Sequence, residues 1–275
     1  MCIIFLYNGS DDVQSDYSFI IASNRDEFYD RPALNLTTWA EDSDVVGGRD
    51  LGALDTTGTW LAISPRRRKA GALLNLPGSG KNEAQSRGKI VADYIKSDIS
   101  THDFIEQMRK FPEQYNGYVL VTVEFGKFCP TVYTYSNTSN ELQLWTDSCL
   151  GFSNSLPRTP LKKAEAGKCL LRDLVCKFNK INTKEMLIEE ILNMLKSKER
   201  HLPDDELQRR QPVAYESLSS TFVHIPEKRY GTRTHTIVLA SKTGHLDVIE
   251  VTRTSQPPND TSDPKWIRTH LQYEI

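Results

Sequence analysis

The sequence contains no apolar run approaching the roughly 18–20 residues that a membrane-spanning helix needs. It has no CxxC, no CxxCH, no HxxxH, no GxGxxG and no GxSxG. These absences argue against zinc ribbons, covalent haem attachment, dinucleotide folds and the hydrolase nucleophile elbow. The tract LPGSGKNEAQ imitates a phosphate loop. However, Asn75 stands where the first glycine is required, and no Ser or Thr follows Lys81, so it reads as a Gly-rich turn. Net charge is also nearly absent: Lys and Arg number 34 against 36 Asp and Glu, a formal −2. Nothing global therefore selects nucleic acid as a partner.

Five cysteines, an odd number with irregular spacing, fit a reduced intracellular protein, as does an N-terminus that lacks a basic leader. The expectation is a cytoplasmic chain with no structural metal. Cys129–Pro130 has the form of a haem thiolate dipeptide, but chance readily supplies one such pair among five cysteines and 13 prolines. The basic run PRRRK at Pro65–Lys69 lies between apolar TWLAIS and AGALLN and reads as a solvated hairpin turn.

What is present is strand signal interrupted by helices. CIIFLY and YSFIIAS, joined by polar NGSDDVQSD, form an expected hairpin. After the second pair around PRRRK, SRGKIVADYIKSD and THDFIEQMRKF carry helical spacing, the latter with a capping-box look at Thr101 and Asp103. GYVLVTVEF, PTVYTYS and ELQLWTDS return to strands. Two helices follow, LKKAEAGKCLLRDLVCKF and TKEMLIEEILNMLK. Cys169 and Cys176, seven apart in the first of these, are expected in the core. A charged loop, KSKERHLPDDELQRRQP, precedes the strands THTIVLAS and LDVIEVT. This order is not the alternation of a parallel sheet. It suits an α+β chain, an αββα sandwich of two mainly antiparallel sheets with outer helices. We expect a single domain over residues 1–275, with a Pro-rich C-terminal segment at 255–275.

Chemistry is concentrated in SNRDEFYDRP, at the end of the second strand. Pairing with the first strand would bring Arg25 and Asp26 to Cys2. A guanidinium there would lower the pKa of the thiol, and a carboxylate would hold an ammonium or orient Arg25.

MCIIF, NRDEFYDRP, GTWLAIS, SRGKIV, GFSNSLPRTPLKKAEAGK and YGTRTHTIVL, in that order, resemble the NRDE-motif family, and within it the transport and Golgi organization 2 group. DTTGTW at Asp55–Trp60 and the PRRRK run depart from the family pattern. The resemblance implies an N-terminal nucleophile hydrolase-like fold. In the cysteine branch of that superfamily, a first-residue thiol attacks an amide and its own α-amine takes the proton. Carried over, Cys2 is the nucleophile and Asn154 the oxyanion donor if the chain is catalytic, while Asn24, Arg25, Asp26 and Arg233 are ligand contacts. The resemblance further implies roles in Golgi organization, secretion, and haem or lipid (acyl-CoA) mobilisation, with Golgi or mitochondrial association. The expected partner is a small amphipathic ligand, haem or acyl-CoA-like, held in a cleft around Cys2. No cofactor is required, haem enters as a ligand, and a peripheral membrane contact is left open. The alternative is an amide or thioester hydrolase working through Cys2.

Overall fold

Apolar β-branched residues make the start of the chain a strand, and the polar bridge after it turns the chain back on itself. The structure, a computed structural model, describes residues 2–52, 58–78, 80, 84–126, 129–254 and 264–275. Its first elements are β1 (Ile3–Asn8), β2 (Tyr17–Phe28), β3 (Ala33–Trp39), β4 (Asp42–Asp50), β5 (Leu61–Ser64) and β6 (Lys69–Asn75). Helices α1 (Gly88–Lys96) and α2 (Thr101–Met108) precede β7 (Tyr118–Phe125), β8 (Pro130–Ser136), β9 (Glu141–Trp145) and β10 (Cys149–Ser153). Four helices follow: α3 (Lys162–Lys177), α4 (Lys184–Leu195), α5 (Asp205–Arg210) and α6 (Tyr215–Leu218). The chain closes with β11 (His224–Ile225), β12 (Tyr230–Ser241), β13 (His245–Arg253) and β14 (Trp266–Glu274).

Two antiparallel sheets result, the α+β composition expected. One runs β10-β1-β2-β12-β13-β14, with β11 added on β12, and the other runs β3 through β9 in chain order. The chain divides into two compact units. The first comprises Met1–Arg31, Asp147–Ser153 and Pro160–Tyr273, and the second Pro32–Thr146, Asn154–Thr159 and Glu274–Ile275. In the first, Ile3, Phe5, Ile20, Ala22, Ile237 and Ile249 alternate along their strands onto one face, where Leu171 and Val175 of α3 and Leu187, Ile188 and Ile191 of α4 cover them. In the second, Ile90, Val91, Tyr94 and Ile95 of α1 and Phe104 and Ile105 of α2 pack with Ala62, Leu73, Leu120 and Tyr135. Each unit is thus a helix layer on an antiparallel sheet. Among the described residues, no helix is long and apolar enough to cross a membrane.

Several local expectations are corrected. Cys169 and Cys176 are exposed, because the buried stripe of α3 runs through Lys163, Ala164, Gly167, Leu171 and Val175. The N-cap of α2 is Ser100, whose side chain accepts from Asp103 N, so Thr101 is already helical. PRRRK does turn a β5–β6 hairpin, yet most of it is not solvated. Arg67 pairs with Asp42 and Asp44, each at 3.0 Å, and Arg68 donates to Phe125 O and Gly126 O. Lys69 Nζ donates to Ser97 O and Ile99 O beyond the end of α1. The charged loop contains α5, whose N-cap Asp204 also accepts from Lys162 N at 2.7 Å. Residues 255–263 of the Pro-rich segment, 55–57 of DTTGTW, and 79 and 81–83 of the Gly-rich turn lie outside the described residues.

Helix α3 approaches its sheet unusually closely. A Cβ on Gly151 of β10 would lie 2.5 Å from Ala164 O, and one on Gly167 would lie 2.3 Å from the Phe5 ring of β1. Glycine is required here for the approach, not for its backbone freedom. We expect Gly151→Ala to push α3 off the sheet and to destabilise the protein by about 1–3 kcal/mol, as overpacking does. Urea unfolding of the variant measures this; an unchanged midpoint would show that the helix has room to spare.

Candidate functional site

The open ends of β1, β2 and β12 carry the candidate site. Ile3 is in register with Asn24, so the next outward pair is Cys2 with Arg25. On the other side of β2, Thr232 pairs with Asp26 and Thr234 with Arg25, leaving Arg233 as the extra residue of a β-bulge. Alternation places Asn24 and Asp26 on the face covered by α3 and α4, and Arg25 on the opposite face. Sequence spacing anticipated this meeting of Cys2, Arg25 and Asp26, and the structure brings the three together.

Cys2 is half-buried, whereas Arg25 and Asp26 are buried. Burial pushes the thiol above its ordinary pKa and the Asp26 charge adds to the rise, while a hydrogen bond from Asp26 N and the Arg25 guanidinium act against it. The resting sulfur is therefore a neutral thiol. Asp26 Oδ1 accepts from Thr232 Oγ1 at 2.6 Å, and Tyr230 Oη donates to Asp26 O at 3.3 Å. Burial raises the Asp26 carboxyl, opposed by the ammonium of Lys163 and the Thr232 hydrogen bond.

Lys163 is a member of this group that residue-type reasoning passes over. It occupies the first turn of α3, is only 1% exposed, and donates from Nζ to Ser220 O at 3.1 Å. Burial pulls its pKa down, and the charges of Asp26 and Asp204 act against that. A signal did exist in the sequence: Lys163, Gly167 and Leu171 share an i, i+4, i+8 row that continues the buried stripe.

Asn24 and Arg233 are frame members of the group. Asn24 Nδ2 donates to Leu195 O at 2.8 Å and Thr221 O at 3.0 Å, which commits Oδ1 as the acceptor for His235 Nδ1–H at 2.6 Å. Burial, helped by the charge of Lys196, lowers the His235 pKa to about 3, so the ring is neutral. It lies between Trp266 and Phe222, with centroids at 5.1 and 6.0 Å. Arg233 Nη1 donates to Phe28 O and Arg31 O, fastening the bulge to the end of β2. Asn154 belongs to the second unit, where Nδ2 donates to Asn75 O at 2.6 Å and Oδ1 is buried without a hydrogen-bond partner. Met1 lies outside the described residues.

Architecture and site together define an α+β protein with a neutral thiol at residue 2, beside the buried side chains of Arg25 and Asp26. Residues 1–255 match the family model described as Transport and Golgi organisation 2, and the chain belongs to that family. It is 37% identical to Transport and Golgi organization protein 2 of Drosophila melanogaster, over 100% of this chain and 99% of that one. The Mus musculus homolog is 31% identical over 100% and 99% of the two chains. The Homo sapiens homolog is 29% identical over 91% and 92%.

Asn24→Ala would orphan two buried carbonyls and one buried N–H, each costing about 1–3 kcal/mol. We expect a stability loss on the order of 3 kcal/mol, read as a lowered urea midpoint, with the affinity of the folded fraction for ligand unchanged. An unchanged midpoint with weakened binding would instead make Asn24 a direct ligand contact.

Proposed function

We propose that the chain serves transport and Golgi organization, as the names of its relatives state, by holding a small amphipathic ligand at the Cys2 group. The whole chain acts as one NRDE, N-terminal nucleophile-like domain. The observation that carries this reading is a buried guanidinium, Arg25, beside a thiol that stays protonated. Such a site suits the anionic head of a ligand whose remainder is apolar, as in haem or an acyl-CoA-like molecule. Work in the cytoplasm, with association at the Golgi or mitochondrion, follows from the same resemblance.

A second reading, hydrolysis of an amide or thioester by Cys2, is favoured by one observation: the hydrogen bond from Asp26 N to the sulfur, which orients the thiol. That mechanism draws its base from a free α-amine at Cys2, near pKa ~7.7–8.0. Intact-mass measurement separates the two readings. A retained Met1 or an acetylated terminus removes the base, whereas loss of Met1 together with turnover abolished in Cys2→Ala supports catalysis.

The binding reading is tested by titrating purified protein with haem and, separately, with acyl-CoA. We expect saturation at micromolar protein for at least one of them. Linear, non-saturating signals for both would end this proposal.

A further inference from the structure

A cavity of about 210 Å³ opens at the other end of β1, lined by Asp147, Ser148, Cys149, Lys168 and Arg172. Cys149 is in register with Tyr7, the fifth residue after Cys2 along the strand. That length of strand spans roughly 16 Å, so the cavity is separate from the Cys2 group. All five lining residues belong to the first compact unit. Their meeting follows from the close seating of α3: a Cβ on Gly151 would lie 3.2 Å from Lys168 Cβ, which sets that residue directly over β10, the edge strand of its sheet. Arg172, four residues on, follows on the same side of the helix.

The charges of the lining are unevenly held. Lys168 Nζ meets Glu165 at 2.6 Å and Arg172 Nε meets Asp173 at 3.6 Å. Both carboxylates are well exposed, and ion pairs of this kind hold weakly enough to yield to a better-placed anion. Burial pushes the Cys149 thiol up to about 11, against a hydrogen bond with Ser148 and the charge of Arg172, so the thiol adds no negative charge to the cavity. A guanidinium fork, an ammonium and a hydroxyl in one lining match the oxygens of a phosphate group. The volume falls below the ~300–1,000 Å³ of pockets that enclose whole drug-sized ligands, so a head group enters and the remainder stays outside. Asp147 repels a bare anion, whereas a hydroxyl or ammonium beside the phosphate would hydrogen-bond to it.

We propose that the cavity between β10 and α3 is a phosphate-binding site, in which Lys168, Arg172 and Ser148 hold a phosphate group and Asp147 accepts from a hydrogen-bond donor attached close to it. The phosphate belongs either to a small soluble ester or to a lipid headgroup. This site does not depend on the reading of the Cys2 group, and the failure of either leaves the other standing.

The test titrates the intact protein calorimetrically with O-phosphoethanolamine and with ethyl phosphate, which differ in one ammonium group. We expect saturation by both in the millimolar range. O-phosphoethanolamine should bind about two- to five-fold more tightly, the worth of one exposed ion pair, and Asp147→Asn should erase that preference. Arg172→Gln should weaken both by about ten-fold, the worth of one charge-assisted hydrogen bond, and Arg172→Lys should restore only part of it. Lys168→Gln gives a second variant should Arg172→Gln fail to fold, and Arg200→Gln, at an exposed arginine outside the lining, should leave both affinities unchanged. Co-sedimentation with phosphatidylcholine vesicles, with and without phosphatidylethanolamine, separates the sources. Capture that needs phosphatidylethanolamine and is lost in Arg172→Gln makes the ligand a lipid headgroup, and binding of the free esters without capture makes it a soluble phosphoester. No saturable binding of either ester, affinities unchanged in folded Arg172→Gln and Lys168→Gln, or an equal loss in Arg200→Gln would each overturn the site.

Discussion

The seating of α3 on β1 and β10 is the constraint on which the site depends. Two glycines, Gly151 and Gly167, remove the side chains that would hold the helix away from its sheet. Once seated, the helix buries Ala164, Leu171 and Val175 against Phe5, Ile20 and their neighbours. Each large apolar side chain buried there contributes about 1.5–3 kcal/mol. The same seating buries Lys163, a residue that would remain solvated on a helix standing further off. Apolar packing thus supplies the stability that burying a lysine side chain consumes.

Hydrogen bonding completes the frame from the opposite direction. Asn24 binds the end of α4 through Leu195 O, the segment before β11 through Thr221 O, and β12 through His235. The bulge at Arg233 then shifts the β12 register by one residue, so that Thr232 meets Asp26 while Thr234 meets Arg25. Without that shift, the threonine hydroxyl holding the Asp26 carboxylate would fall out of register. The motif residues therefore divide their work. Asn24 and Arg233 fix geometry through backbone carbonyls and a neutral histidine, and Arg25 and Asp26 bring charge to the thiol.

Much of this was legible in the sequence where local signals and pattern agree. CIIFLY and YSFIIAS announce the β1–β2 hairpin, and their pairing places NRDE beside Cys2. Elsewhere tertiary structure overrode the pattern. The strand β4 escapes notice because polar Asp42–Asp44 and the pair Gly47–Gly48 break its alternation. The cysteines of α3 look like core positions because the true stripe contains a lysine and a glycine and so hides its own apolar face. Lys163 itself is invisible to residue type, since lysine is almost never fully buried. The basic PRRRK run carries the same lesson in reverse, for most of its charge is tied to carboxylates and backbone carbonyls.

Belonging to the Transport and Golgi organisation 2 family gives the chain a setting, while the Cys2 group gives it a chemistry to examine. The most direct measurement is protection of that group. Protein saturated with haem or with acyl-CoA is alkylated in parallel with free protein, and each cysteine is followed separately. Ligand held at the Cys2 group must slow reaction at Cys2 and leave the exposed Cys129, Cys169 and Cys176 unaffected. Ligand that is bound while Cys2 reacts at its free-protein rate would place the binding elsewhere on the molecule and contradict the site.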